Sequence, residues 1–333
     1  MSDIRNTAPH GEDFEPVPGA QSIDVQGGVG AGHLPPEPLP TEDKSYSQTQ
    51  LVWRRFLRHR AAMISCAVIV LIVLVAYSSI GVGPIPGWWD KTYLATYDKI
   101  GTGSPTLTHP FGQDAIGKDY FAMTMRGTQH SLFIALGIGV LSTILGTLVG
   151  ALAGYFRGWV DSVLMRMTDV FIVIPLLVIA AVLGKMASSW GIWGLTLILG
   201  AVTWTGLARL VRGEVLSLRE REFVMAAQAV GTSASRIIVK HILPNAVGVI
   251  IVNATLAISS AILLETALSF LGYGVQSPDT SLGLLISQNQ NAFATRPWLF
   301  WWPGLLILTI ALCVNFIGDG LRDAFDPRQT RKD

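Results

Sequence analysis

Six stretches of the chain, 61–82, 131–155, 163–184, 192–211, 246–271 and 298–318, are dominated by apolar residues and carry few charges. Each has about the 20 residues that a helix needs to cross a hydrocarbon core, where a central charge costs roughly 2.5–3.5 kcal/mol. The pattern predicts an all-α membrane protein with six transmembrane helices. Between the first two stretches, 83–130 carries Pro84, Pro86, Pro105 and Pro110 and reads as a long extramembrane loop. The five later helices form a core over 131–318, interrupted by a polar and basic interval at 212–245. That interval reads as two short helices with a bend at Gly231. Just before the first span, 47–60 places Trp53, Phe56 and Leu57 on one helical face among Arg54, Arg55, Arg58 and Arg60. Such a helix fits the headgroup layer over anionic lipid. Nucleic acid is the rival for a basic cluster, and the uncharged run that follows at once favours membrane.

Composition supports this division. Half of the residues are hydrophobic and 14% are charged, too apolar for an ordinary soluble domain. The segment 1–46 is rich in Pro, Gly, Asp and Glu and is expected to be a disordered cytoplasmic tail. It lacks the basic start and apolar core of a cleaved leader. Cys66 and Cys313 lie inside apolar runs and read as small buried hydrophobes. The positions of the basic residues orient the chain, because short cytoplasmic loops carry excess Lys and Arg. Arg54 to Arg60, Arg157, Arg166, the group Arg209 to Lys240, and the end with Arg322, Arg328, Arg331 and Lys332 fall on one side. Both termini, including the tail 319–333, are thereby expected in the cytoplasm.

Several motifs invite chemical readings. Gly112 to Asp119 nearly matches a phosphate-binding G-x-x-x-x-G-K-[ST] loop, but Asp119 replaces the hydroxyl that holds magnesium and no buried strand precedes it. Gly146, Gly150 and Gly154 strip one face of the second span and allow another helix to approach closely. Pro175 predicts a kink in the third span. Glu265 lies about 29 Å along its helix from 246, near the outer end. An intramembrane carboxylate there reads equally as lining a pathway or as pairing with a neighbouring helix or loop. Asn253 and Asn315 are further pathway candidates, although both fit interhelical hydrogen bonds better. The six histidines are scattered, and no H-E-x-x-H, G-x-S-x-G or hydrolytic acid pair occurs, so neither an enzyme nor a metal site is expected.

The interval 222–245 resembles the EAA loop of ABC importer permeases: E-A-A, three residues, G, nine residues, then I-x-L-P. Ala226, Ala227, Gly231, Leu243 and Pro244 fit this spacing, while Met225 replaces the glutamate and His241 the isoleucine. Four further segments are similar to the dipeptide/oligopeptide/nickel permeases, in particular their C-type subunit. They are His109 to Gly112 with Asp119, Arg209 to Leu216, Glu265 to Gly272, and Gly318 to Arg328.

The resemblance implies a type I importer permease fold in a bacterial inner membrane. It also implies a heterodimer with a paralogous permease, two ATP-binding subunits, and an extracytoplasmic binding protein that delivers the cargo. ATP and magnesium would be held by the partner subunits, with no cofactor on this chain. The cargo would be dipeptides or oligopeptides, with nickel or glutathione as the alternative. Coupling to the ATP-binding subunits would fall to Glu222, Phe223, Met225, Ala226, Ala227, Ala229, Gly231, Ser233 and Arg236. Ala226 and Ala227 would present a face free of long side chains, and Thr232 or Ser233 would cap the second helix. At Met225 a flexible thioether would replace a polar contact, or Glu222 would take that contact over. The rivals are a secondary transporter, which favours several intramembrane ionisable groups and broken helices, and a structural or signalling membrane subunit.

Overall fold

The computed structural model describes residues 48–326. The tail expected over 1–46 and the end from 327 onward, with Arg328, Arg331 and Lys332, lie outside them. Helix α1 (Gln48–Arg58) leads into α2 (Arg60–Ile80), which His59 caps by accepting the Ala62 N–H at 3.1 Å. A small hairpin, β1 (Gly81–Val82) and β2 (Ile85–Pro86), and a folded loop connect α2 to α3 (Tyr120–Phe156). Then come α4 (Gly158–Val173), α5 (Leu176–Ala187), α6 (Gly191–Thr203) and α7 (Thr205–Arg219). The short helices α8 (Glu222–Ala229) and α9 (Ala234–Ile237) precede α10 (Leu243–Phe270), α11 (Leu282–Asn289) and α12 (Trp298–Phe325). At the centre, Ile134 and Ile138 of α3 meet Leu199 of α6, Ile262 of α10 and Ile310 of α12, all of them buried.

Among the described residues, four helices are long and apolar enough to span by themselves, α2, α3, the continuous rod 234–270 and α12, and two bent pairs bring the total to as many as six. The third expected span, 163–184, is the largest departure. Helices α4 and α5 meet at 89°, so the break at Pro175 is far more than a kink. Proline disfavours helical geometry in the residue before it, and Ile174 is extended at φ −78°, ψ 128°. The fourth expected span, 192–211, bends by 42° at the buried Trp204, between α6 and α7.

One boundary and one helix face also differ from expectation. Helix α3 begins at Tyr120 instead of 131, because Asp119 caps it by accepting the Ala122 N–H at 2.8 Å. The same carboxylate accepts from Trp89 Nε1 at 3.0 Å and lies 2.7 Å from His109 Nδ1. The near-match to a phosphate loop is thus a tight fold that starts a helix, with its aspartate fully engaged. On α1, Phe56 turns inward against Ala62 and Ala324, while Trp53 and Leu57 stay exposed. The expected apolar face is therefore split between the protein and its surroundings. Cys313 is buried, Cys66 is half-buried, and both are free thiols.

Candidate functional site

The interval between α7 and α10 is the candidate coupling site. Helix α7 runs into α8 with only Glu220 and Arg221 between them. Helix α8 ends at Gly231, whose φ is +77° and whose missing Cβ would meet open space. Its N–H donates to Gln228 O at 2.9 Å, and the Thr232 N–H donates to Ala227 O at 3.1 Å. This pair of bonds is a Schellman stop, which needs a left-handed residue at that position. Ser233 stands at the N-cap of α9 but its side chain forms no capping bond.

The second short helix is not a separate element, contrary to expectation. From Ala234 the chain stays helical to Phe270 through a π-helical turn, Ile238–Ile242. The Leu243 N–H donates to Ile238 O, five residues back. Pro244 explains the widened turn, since it has no N–H and its ring crowds the carbonyl four residues earlier. Asn245 Nδ2 donates to His241 O at 2.6 Å. Movement of 234–242 is consequently movement of the whole span.

Burial divides the expected coupling residues. Val224 and Ala227 of α8 join Tyr155, Val211, Val215, Ile237, Ile238 and Ile242 in one buried cluster. Ala227 thus anchors α8 to the membrane core and does not face outward. Glu222, Phe223, Met225, Ala226, Ala229, Gly231, Ser233 and Arg236 are exposed. Val230, 82% exposed beside the bend, and the exposed Val239 extend this apolar surface. Neither was expected as a contact; for Val230 the signal was an apolar residue next to the glycine stop in an otherwise polar interval.

A belt of ion pairs flanks this interval. Arg212 of α7 grips Asp161 of α4 with two bonds, Nε to Oδ1 at 2.5 Å and Nη2 to Oδ2 at 2.6 Å. Arg209 pairs with Asp169 and Arg157 with Glu220. The guanidinium of Arg219 lies 5.6 Å from the Tyr155 ring centre. Above the belt α7 crosses α3 along the glycine face. A Cβ at Gly146, Gly150 or Gly154 would come within 2.9, 2.5 or 2.9 Å of the Trp204, Ala208 or Arg212 carbonyl oxygen, respectively.

At the far end of α10, Glu265 is fully buried. Ser131 Oγ donates to Oε2 at 3.0 Å, Ser269 Oγ donates to Oε1 at 2.7 Å, and Ser281 is a third hydroxyl partner. Each hydroxyl also accepts a backbone N–H at 3.2 Å: Leu282 to Ser131, Val275 to Ser269 and Leu284 to Ser281. One carboxylate thereby ties α3, α10 and the loop that launches α11. This is the pairing geometry of the two considered for Glu265. Ser269, one helical turn on, was the visible sequence signal.

Asn253 lies about 18 Å along α10 from Glu265. It lines a cleft of about 700 Å³ between α7, α10 and α12, together with Glu214, Asn245, Arg322 and Asp326. Its Nδ2 donates to Val249 O at 2.9 Å. Asn315 is half-buried on α12 and is not among the residues lining that cleft. Asn253 and Glu265 are thus not brought together.

These features coincide with known proteins. Residues 146–331 match the family model described as the binding-protein-dependent transport system inner membrane component, and 47–90 match the N-terminal transmembrane domain of oligopeptide transport permease C. The chain belongs to the binding-protein-dependent ABC importer permeases. It is 42% identical over 282 residues to the oligopeptide transport system permease protein OppC of Mycobacterium tuberculosis, covering 84% of this chain and 95% of that one. OppC of Haemophilus influenzae is 37% identical over 277 residues, covering 83% and 87%. A putative peptide permease of Brucella suis is 37% identical over 276 residues, covering 82% and 89%. The permease also shares its fold with the MetNI methionine ABC transporter in an inward-facing form, with a TM-score of 0.51 at 18% identity, over 61% of this chain and 97% of that one. The matched family region contains the candidate coupling site, the glycine crossing and the Glu265 hub.

Proposed function

We propose that this permease forms half of the pathway of a peptide importer, with a paralogous permease as the other half. Two ATP-binding subunits sit beneath it and bind ATP and magnesium, and an extracytoplasmic binding protein supplies dipeptides or oligopeptides. The chain binds no nucleotide and carries out no hydrolysis. Both termini and the 222–242 lever lie in the cytoplasm of a bacterial cell, in keeping with the cluster of basic residues at that end. The observation that carries the reading is the set of exposed apolar side chains on and just after α8, Phe223, Met225 and Val230, beside a helix locked to two spans by its buried Val224 and Ala227. Closure of the ATP-binding subunits would push that face, and α7 and the rod 234–270 would carry the push to the pathway. The peptide cargo is supported by the names of the OppC relatives.

The apolar surfaces of α4 and α5 support a membrane partner. Val163, Val170 and Val173 of α4, with Val178, Val182 and Met186 of α5, are exposed. Neither helix has the length to span alone. To test the reading, the four-subunit complex is reconstituted with its binding protein, and ATP hydrolysis is measured as di- to pentapeptides are added. Stimulation by peptides and their accumulation in the vesicles are expected. Stimulation by nickel or glutathione but by no peptide would refute the cargo, and uptake without ATP would refute the coupling.

A further inference from the structure

A cavity at the end of the first span plays no part in the coupling lever. It encloses about 350 Å³, and its walls include Ile80, Pro86, Trp89, Lys91, Tyr93 and Arg126. Gln129, about one turn along α3 from Arg126, donates its amide to Ala76 O at 2.8 Å and to Gly81 O at 3.0 Å. These bonds hold Arg126 level with the last turn of α2, where hydrocarbon gives way to headgroups.

Two cations line this cavity with incomplete partners. Lys91 Nζ is 3.4 Å from the exposed Asp90 carboxylate and 4.9 Å from the centre of the Trp89 ring. Arg126 donates from Nη1 to Gln129 Oε1 at 3.0 Å, and its Nη2 is a distant 3.9 Å from Asp279. Its guanidinium lies 5.3 Å from the Tyr93 ring centre, and its buried Nε has no hydrogen-bond partner among the described residues. No carboxylate is among the lining residues. Beside the cavity, apolar side chains point away from the protein: Ile85 is 68% exposed, Trp88 62%, and Val82 is exposed as well. Basic pockets at the ends of spans attract lipid headgroups, and tryptophan and tyrosine favour the same depth.

We propose that this cavity seats the phosphate headgroup of an anionic phospholipid. Lys91 and Arg126 hold the phosphate, and Val82, Ile85 and Trp88 lie along an acyl chain. The bound lipid would bridge the end of α2 to α3 and fix the first span while the lever moves. A free phosphate offers the same charge but nothing to cover the apolar rim. Which leaflet supplies the lipid rests on the orientation proposed above; the site itself does not.

The test uses the assembled transporter in neutral-lipid nanodiscs containing a photoactivatable phosphatidylglycerol, with the label mapped by peptide sequencing. Labelling within 80–93 is expected, displaced by unlabelled phosphatidylglycerol and not by inorganic phosphate or phosphatidylcholine. Lys91→Ala should weaken it about fivefold and Lys91→Arg should restore it, at unchanged basal ATP hydrolysis. Equal labelling of wild type and Lys91→Ala, displacement by inorganic phosphate, or equal displacement by phosphatidylcholine would overturn the proposal. If Lys91→Ala does not assemble, Ile85→Ser carries the same test through the acyl rim. Peptide-stimulated ATP hydrolysis is a separate readout, so failure of the cargo assignment would not be mistaken for failure of the lipid site.

Discussion

At the scale of single residues, Glu265 shows how a buried charge becomes architecture. Its carboxylate has hydroxyl partners on α3, on α10 and in the loop before α11, and those hydroxyls order three further N–H groups. Removing the acceptor strands donors in a dry environment, at on the order of 1–3 kcal/mol each. Glu265→Ala should lower the thermal midpoint of the purified complex clearly, and Glu265→Gln, which keeps one acceptor oxygen, should lower it less. Equal effects would mean that the serines do not depend on the carboxylate. The glycine crossing gives a second contrast. A Cβ at Gly150 would stand 2.5 Å from the Ala208 carbonyl oxygen, whereas one at the exposed Gly206 would meet nothing within 4 Å. Gly150→Ala should cost about 1–3 kcal/mol by overpacking. Gly206→Ala should be neutral or stabilising by up to about 1 kcal/mol. Thermal unfolding of both variants checks the pair.

At the scale of elements, stops and breaks in the helices shape the proposed lever. The hydrophobic pattern located the apolar segments, because a run of about 20 mainly apolar residues must satisfy its backbone within helices in lipid. It could not read the angles between them. Pro175 marked a break, but 89° instead of a kink depends on how α4 and α5 pack. The π-helical turn before Pro244 was hidden for a similar reason: proline shows where a helix is disturbed, and the surroundings decide whether it stops or widens. Ala227 was assigned outward from its resemblance to a docking motif, while its position on the same face as Val224 turned it inward. Gly231 provides the test at this scale. Its left-handed backbone tolerates asparagine, and a β-branched residue there is strained although space is free. Gly231→Asn should retain peptide-stimulated ATP hydrolysis and Gly231→Val should lose most of it. Full activity in Gly231→Val would show that the bend is not needed.

At the scale of the whole molecule, the continuous helix 234–270 joins the proposed lever to the Glu265 hub. The proposed orientation rests on the charges: the basic residues cluster at the end where Arg157, Arg209 and Arg212 pair with carboxylates. An impermeant thiol reagent should therefore label Thr232→Cys only from the cytoplasmic side and Leu107→Cys, at a fully exposed position, only from outside. The reverse pattern would invert the protein in the membrane. The central claim is that the exposed face of α8 receives the ATP-driven push. Disulfide cross-linking of Val230→Cys to cysteines placed along the groove of the ATP-binding subunit tests it most directly, with the buried Val224→Cys as control. The account predicts a cross-link from 230 and none from 224, with transport blocked when the bond forms and recovered on reduction. Cross-linking from 224 but not from 230, or transport that continues with the bond in place, would contradict it.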